Sequence, residues 1–166
     1  MIGLVAIIFQ RNPSVLLVHA DSPYLTLADA LADRELRLVG PGGSMDPELR
    51  LALTALGRDA DSVFPREKLP EDLDLFARRG LDLLPGYLSF EPHRLRRMGV
   101  EARVLRFAEE GRSPFFGDIL VCRGDLLRDR PDLVARMRRA VLRGWEWALD
   151  NRQEMIAAIP ARWPSM

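Results

Sequence analysis

Leu36-Arg37-Leu38-Val39-Gly40-Pro41-Gly42-Gly43-Ser44-Met45-Asp46-Pro47-Glu48-Leu49 reads as a buried strand, a glycine turn and the start of a helix. A strand that enters a helix through glycines is a building step of α/β sheets, and it makes a ready place for a small anion. The first N–H groups of a helix point outward without partners and carry the positive end of its dipole, while glycines let a ligand approach the main chain closely. Turns of this kind also join strands to helices with no ligand at all. The surrounding sequence therefore has to give this one its meaning.

Upstream, Met1 to Phe9 and Ser14 to His19 are rich in Val, Ile and Leu and are separated by Asn12-Pro13, so both read as buried strands. Thr26 precedes good helix formers and caps a helix that leads back to Leu36. Downstream, Pro47 sits in the first helical turn, Leu49, Leu51, Ala52, Leu53 and Leu56 give an apolar face, and Gly57 ends the helix. Helices are expected from Glu71 to Arg79 and from Pro92 to Met98, closed by Gly80 and Gly99. Leu81 to Leu88, Val100 to Phe107 and Ile119 to Cys122 read as strands, the last of them buried. Leu133, Val134, Met137, Val141, Trp145 and Ala148 fall at helical spacing over Pro131 to Leu149, and a final helix from Arg152 stops before Pro160. Alternating strands and helices indicate an α/β sheet with helices on its faces.

Composition excludes several classes. The chain has 166 residues, 48% of them hydrophobic, and its 24 basic residues balance 24 acidic ones, so no global field gathers nucleic acid or an anionic membrane. Cys122 is the only cysteine, and His19 and His93 stand apart from it and from each other, which leaves no metal or disulfide pattern. No cofactor is expected. There is no GxSxG, no GxxxxGK[ST] and no HExxH. The apolar N-terminus is not read as a signal peptide, because no Lys or Arg precedes it and Gln10-Arg11-Asn12-Pro13 interrupts it.

Five segments in order resemble one family: Ile7 to Gln10 with Ser14 to Val18; the Gly40 to Leu49 turn; Gly86-Tyr87-Leu88-Ser89-Phe90-Glu91-Pro92; Phe116-Gly117-Asp118-Ile119-Leu120; and Pro131 to Val134 leading to Gly144-Trp145-Glu146-Trp147-Ala148-Leu149. The family is the substrate-binding proteins of ABC importers, in the branch for sulfonates, nitrate and the pyrimidine precursor of thiamine. The resemblance implies an α/β, type II periplasmic-binding fold of two lobes joined by hinge strands. It also implies that one lobe, about residues 14 to 108, is near complete. Residues of about 1 to 13 and 109 to 166 would supply hinge strands and C-terminal helices of the other lobe, most of which relatives carry ahead of the Ile7 segment. On this expectation the chain is a truncated product or a natural single-lobe protein, and its relatives' periplasmic or cell-surface placement would require a gene that starts upstream.

The same resemblance assigns ligand contacts. Gly42, Gly43 and Ser44 would offer main-chain and hydroxyl donors. Tyr87, Ser89 and Glu91 would face the cleft, the ring stacking on a flat ligand and the carboxylate accepting from an amino group. Phe116, Gly117 and Asp118 would line the cleft or support the hinge. Tyr87 also reads as core packing, and Glu91 as a helix-start carboxylate. Trp145 and Trp147 read as packing residues.

The implied function is non-enzymatic binding of a small polar or anionic solute, with an ABC-transporter permease as partner or a second protein chain completing the cleft. A sensor or partner-docking role is the alternative. A thiamine-pyrimidine synthase is less favoured, since that enzyme family relies on a cysteine-rich motif and an early histidine that this sequence does not match.

Overall fold

The computed structural model describes residues 1–33, 35–39, 46–63, 71–107 and 115–163. Its elements in chain order are β1 (Ile2–Phe9), β2 (Ser14–His19), α1 (Leu27–Ala32), α2 (Asp46–Ala55), α3 (Ala60–Val63), α4 (Leu73–Ala77), β3 (Leu84–Tyr87), α5 (Glu91–Arg97), β4 (Ala102–Arg106), β5 (Gly117–Arg123), α6 (Gly124–Asp129), α7 (Pro131–Asp150) and α8 (Arg152–Arg162). The chain folds as two compact units, Arg11–Gly117 and the pair of segments Met1–Gln10 with Asp118–Met166.

The Arg11–Gly117 unit is built on β2, the central strand of an antiparallel sheet ordered β3-β2-β4. All six residues of β2 are buried, as an unbroken apolar run requires when both sheet faces are covered. Leu16 and Val18 point to one side and pack with Leu27, Leu31, Leu49, Leu53 and Leu105. Val15 and Leu17 point to the other and pack with Phe76, Leu81, Leu84 and Leu95. Thr26 caps α1 as expected: its side chain accepts from the Asp29 N–H while Asp29 accepts from the Thr26 N–H. Gly57 and Gly99, with φ of 69° and 75°, take the left-handed backbone that follows α2 and α5.

Several expectations are corrected. Leu36 to Val39 forms no strand ladder and contributes a single parallel bridge, Leu38 to Leu83. Arg37 holds the segment in place instead. Its N–H and Nε both donate to Asp82 Oδ2 at 2.9 Å, and its carbonyl accepts from the Asp82 N–H at 2.8 Å. On α2 only Leu49 and Leu53 are buried, one turn apart, while Leu51 and Leu56 are exposed. The helix termed α3 was not anticipated, nor was α6.

In the second unit β1 pairs with β5 in a two-stranded sheet, and α6 and α7 pack along β1. The long amphipathic helix forms as read, yet Val134 is its only buried residue. Trp145 packs edge-on against Phe9, with ring centroids 5.1 Å apart, which is the packing role expected of it. The strand β5 is not buried: Ile119 and Val121 are exposed. Nor does α8 stop before Pro160, which lies inside it. Near a helix end a proline forfeits one backbone hydrogen bond, and the helix continues two residues past it, to Arg162.

Candidate functional site

The turn from β3 into α5 carries three of the residues singled out in the sequence. β3 ends at Tyr87, and Pro92 occupies the first turn of α5, where its missing N–H is harmless. Phe90 stands at the helix N-cap without a side-chain oxygen to cap it. Glu91 turns back instead to the preceding strand, its Oε2 accepting the Tyr87 N–H at the end of β3 at 2.6 Å. Gly86 allows this approach, since a Cβ there would lie 2.8 Å from Glu91 Oε2 and 2.9 Å from Glu91 Cβ. The Leu88 N–H donates to the Pro13 carbonyl at 3.0 Å, tying the turn to the entry of β2.

Tyr87, Ser89 and Phe90 are exposed on this turn and Glu91 is half-buried. A cavity of about 350 Å³ opens beside it, lined by Glu71, Asp72, Tyr87, Phe90, Glu91 and Arg94 among others. The Arg94 guanidinium lies 5.5 Å from the Phe90 ring centroid. Two aromatic rings, an arginine and several carboxylates can grip a flat molecule by stacking and by hydrogen bonds to its edge.

Tyr87, Ser89 and Glu91 thus sit together as the sequence suggested, with Glu91 engaged in holding the turn through one of its oxygens. Gly42, Gly43 and Ser44 lie outside the described residues. Phe116 is exposed, and Gly117 is buried as the last residue of its unit; Asp118, exposed and with φ of 22°, is the first residue of the other. The chain passes between units at Gln10–Arg11 and again at Gly117–Asp118.

Glu71, Asp72 and Arg94 were missed in the sequence. Arg94 had a signal, because it follows Phe90 by four residues and helical spacing makes such pairs neighbours. Glu71 and Asp72 had none, since only the packing of α4 against α5 brings them to the cavity. Asp72 also caps α4, accepting the Leu75 N–H at 2.8 Å. Among the described residues no cluster of His, Cys, Asp or Glu is gathered for a metal ion, and no helix is long and apolar enough to cross a membrane.

Residues 2–155 match the family described as NMT1/THI5 like. The chain belongs to that family. It is a family of binding proteins in the main, with enzymes among its THI5 members. The structure of this NMT1/THI5-like chain is similar to the periplasmic aliphatic sulphonate binding protein SsuA from Escherichia coli, with a TM-score of 0.64 and 18% identity. The match covers 96% of this chain and 54% of that one, so the chain spans about half the length of the protein it resembles. At this identity the likeness establishes fold: a mixed α/β architecture matching half of a type II periplasmic binding protein, as the sequence resemblance implied. No match is found among curated proteins.

Proposed function

We propose that the Arg11–Gly117 unit is a binding lobe for a small polar or anionic solute of the sulfonate, nitrate or aminopyrimidine class, acting without chemistry on its ligand. The observation that carries this reading is the Tyr87 to Glu91 turn, which presents two exposed rings beside a cavity of about 350 Å³, within the range of small-molecule sites, with the Arg94 guanidinium on its wall to meet an anion and the Glu91 carboxylate to accept from an amino group. Family membership supports the same reading. In it Tyr87 stacks on the ligand, Ser89 offers a hydroxyl, and Gly42, Gly43 and Ser44 supply donors from the preceding glycine turn. Phe116, Gly117 and Asp118 mark the return of the chain between units and serve the hinge. Delivery to an ABC-importer permease is the role this implies for the whole protein.

Thermal-shift and calorimetric titration with alkyl sulfonates, nitrate and aminopyrimidines test the proposal. One class is expected to raise the melting temperature in proportion to its concentration, and Tyr87→Ala is expected to abolish the shift. If no class produces a shift, the binding reading fails and the family and fold assignments stand alone.

A further inference from the structure

Arginines elsewhere in the chain close on carboxylates: Arg37 on Asp82, Arg50 on Asp46 and Asp61, and Arg79 on Asp21. Arg94 closes on none among the described residues, although it lines the same cavity as Asp72 and Glu91. Glu91 precedes it by three residues on α5, a spacing that makes side chains neighbours and favours an ion pair. Each group is held by another contact instead. The Arg94 guanidinium lies 5.5 Å from the Phe90 ring centroid. Glu91 turns back through Oε2 to the Tyr87 N–H, and Asp72 accepts the Leu75 N–H through Oδ1. The second oxygens, Glu91 Oε1 and Asp72 Oδ2, accept from no group among the described residues. The cavity wall therefore keeps charges of both signs that do not neutralise each other.

We propose that the solute taken by this cavity is a zwitterion, with an acidic group that Arg94 meets and an amino group that Asp72 and Glu91 receive. This rests on the binding reading above and narrows it. A plain anion gains Arg94 but faces two carboxylates, and a plain amine gains the carboxylates but faces the guanidinium; inside a cavity such charges act more strongly than in bulk water. A molecule bearing both groups offers each part of the wall its opposite sign. The planar fork of Arg94 suits the paired oxygens of a sulfonate or carboxylate. The ammonium end also gains from the faces of Tyr87 and Phe90, both exposed on the turn. A volume of about 350 Å³ stands near the lower end for small-molecule sites, which suits one ring or a short chain between the two charged ends.

Calorimetric titration of the full chain at low salt tests this with a matched set: para- and meta-(aminomethyl)benzenesulfonate, benzenesulfonate and benzylamine. At least one of the two zwitterions is expected to bind tenfold or more tightly than either singly charged parent. Arg94→Gln is expected to weaken benzenesulfonate more than benzylamine, and Asp72→Asn combined with Glu91→Gln to do the reverse, while each variant lowers the affinity of the zwitterion. Asn keeps the α4 cap and Gln keeps an acceptor for the Tyr87 N–H, so circular dichroism should stay unchanged. Should the double variant lose its fold, Arg94→Gln decides: a zwitterion that binds it as tightly as the parent chain overturns the proposal. Benzenesulfonate or benzylamine binding as tightly as both zwitterions overturns it too, and leaves the binding reading standing if Tyr87→Ala weakens that ligand. So does binding confined to nitrate, alkyl sulfonates or aminopyrimidines. Only when none of these compounds binds do both readings fail together.

Discussion

Glu91 and Tyr87 are joined across the β3–α5 turn, the carboxylate Oε2 accepting the Tyr87 main-chain N–H at 2.6 Å. The bond serves two ends at once. It satisfies a donor at the end of a strand, and it fixes the backbone from which the Tyr87 ring projects beside the cavity.

Glu91→Ala is expected to lower stability by about 1 kcal/mol, the scale of one lost hydrogen bond to a strand-end N–H. Glu91→Gln keeps an acceptor and is expected to recover most of that loss. Gly86→Ala is expected to resemble Glu91→Ala, because the new Cβ displaces the Glu91 side chain rather than filling space. Urea denaturation of the three variants checks the order.

His19 is buried at the end of β2, stacked on Phe76 at 4.2 Å between ring centroids, with Nε2 2.9 Å from the Phe76 carbonyl oxygen. That oxygen can only accept, so Nε2 carries the hydrogen. His19→Phe preserves the stacking but removes the donor, and is expected to destabilise by roughly 1–3 kcal/mol through the orphaned carbonyl. His19→Gln, which retains an N–H, should lose less of the hydrogen bond and more of the stacking. Melting curves at neutral pH compare them.

Arg103 on β4 staples the loop that follows β2. Its Nη2 donates to the Ala20 carbonyl at 2.8 Å, and its Nη1 to the carbonyls of Tyr24 at 2.7 Å and Ser22 at 3.2 Å. A lysine ammonium cannot span that fan of acceptors, so Arg103→Lys is expected to behave nearly as badly as Arg103→Met. Hydrogen exchange should rise across residues 20 to 26 in both variants while the amides of β2 stay protected.

Two groups contribute at opposite ends of the pH profile. Burial pushes the Asp82 carboxyl up, but the hydrogen bonds from the Arg37 side chain and backbone outweigh it and hold the group below its ordinary 3.8. A folded value below the unfolded one contributes stability above about pH 4 that disappears as pH falls through the folded value. Asp82→Asn is expected to flatten that part of the acid limb. At the other end, the Asp33 hydrogen bond and then burial push the Tyr24 phenol from 10.0 up to about 12. This contribution is complete below about pH 10 and fades as pH climbs toward 12. Ultraviolet titration should show one late-ionising tyrosine, absent in Tyr24→Phe.

Much of the site was legible because it is local. Tyr87, Ser89 and Glu91 lie within five residues, so a strand end followed by a helix start had to place them on one turn. The ligand donors proposed at Gly42 to Ser44 lie outside the described residues. Cavity walls formed by Glu71 and Asp72 were not legible, since they meet the turn only through helix packing.

The sequence by itself determined the family, most of the strands and helices, the buried β2 and the Thr26 and Gly99 helix ends, while the strand it read at Leu36 to Val39 and the helices α3 and α6 it did not read show where short patterns run out. Only the tertiary structure decided that Leu36 to Val39 is held by one bridge and the Arg37–Asp82 pair, that Arg103 gathers three carbonyls, and that β5 leaves one face uncovered. An apolar alternation states that a face seeks a partner. Which element covers it depends on residues distant in the chain, and that choice is made by packing.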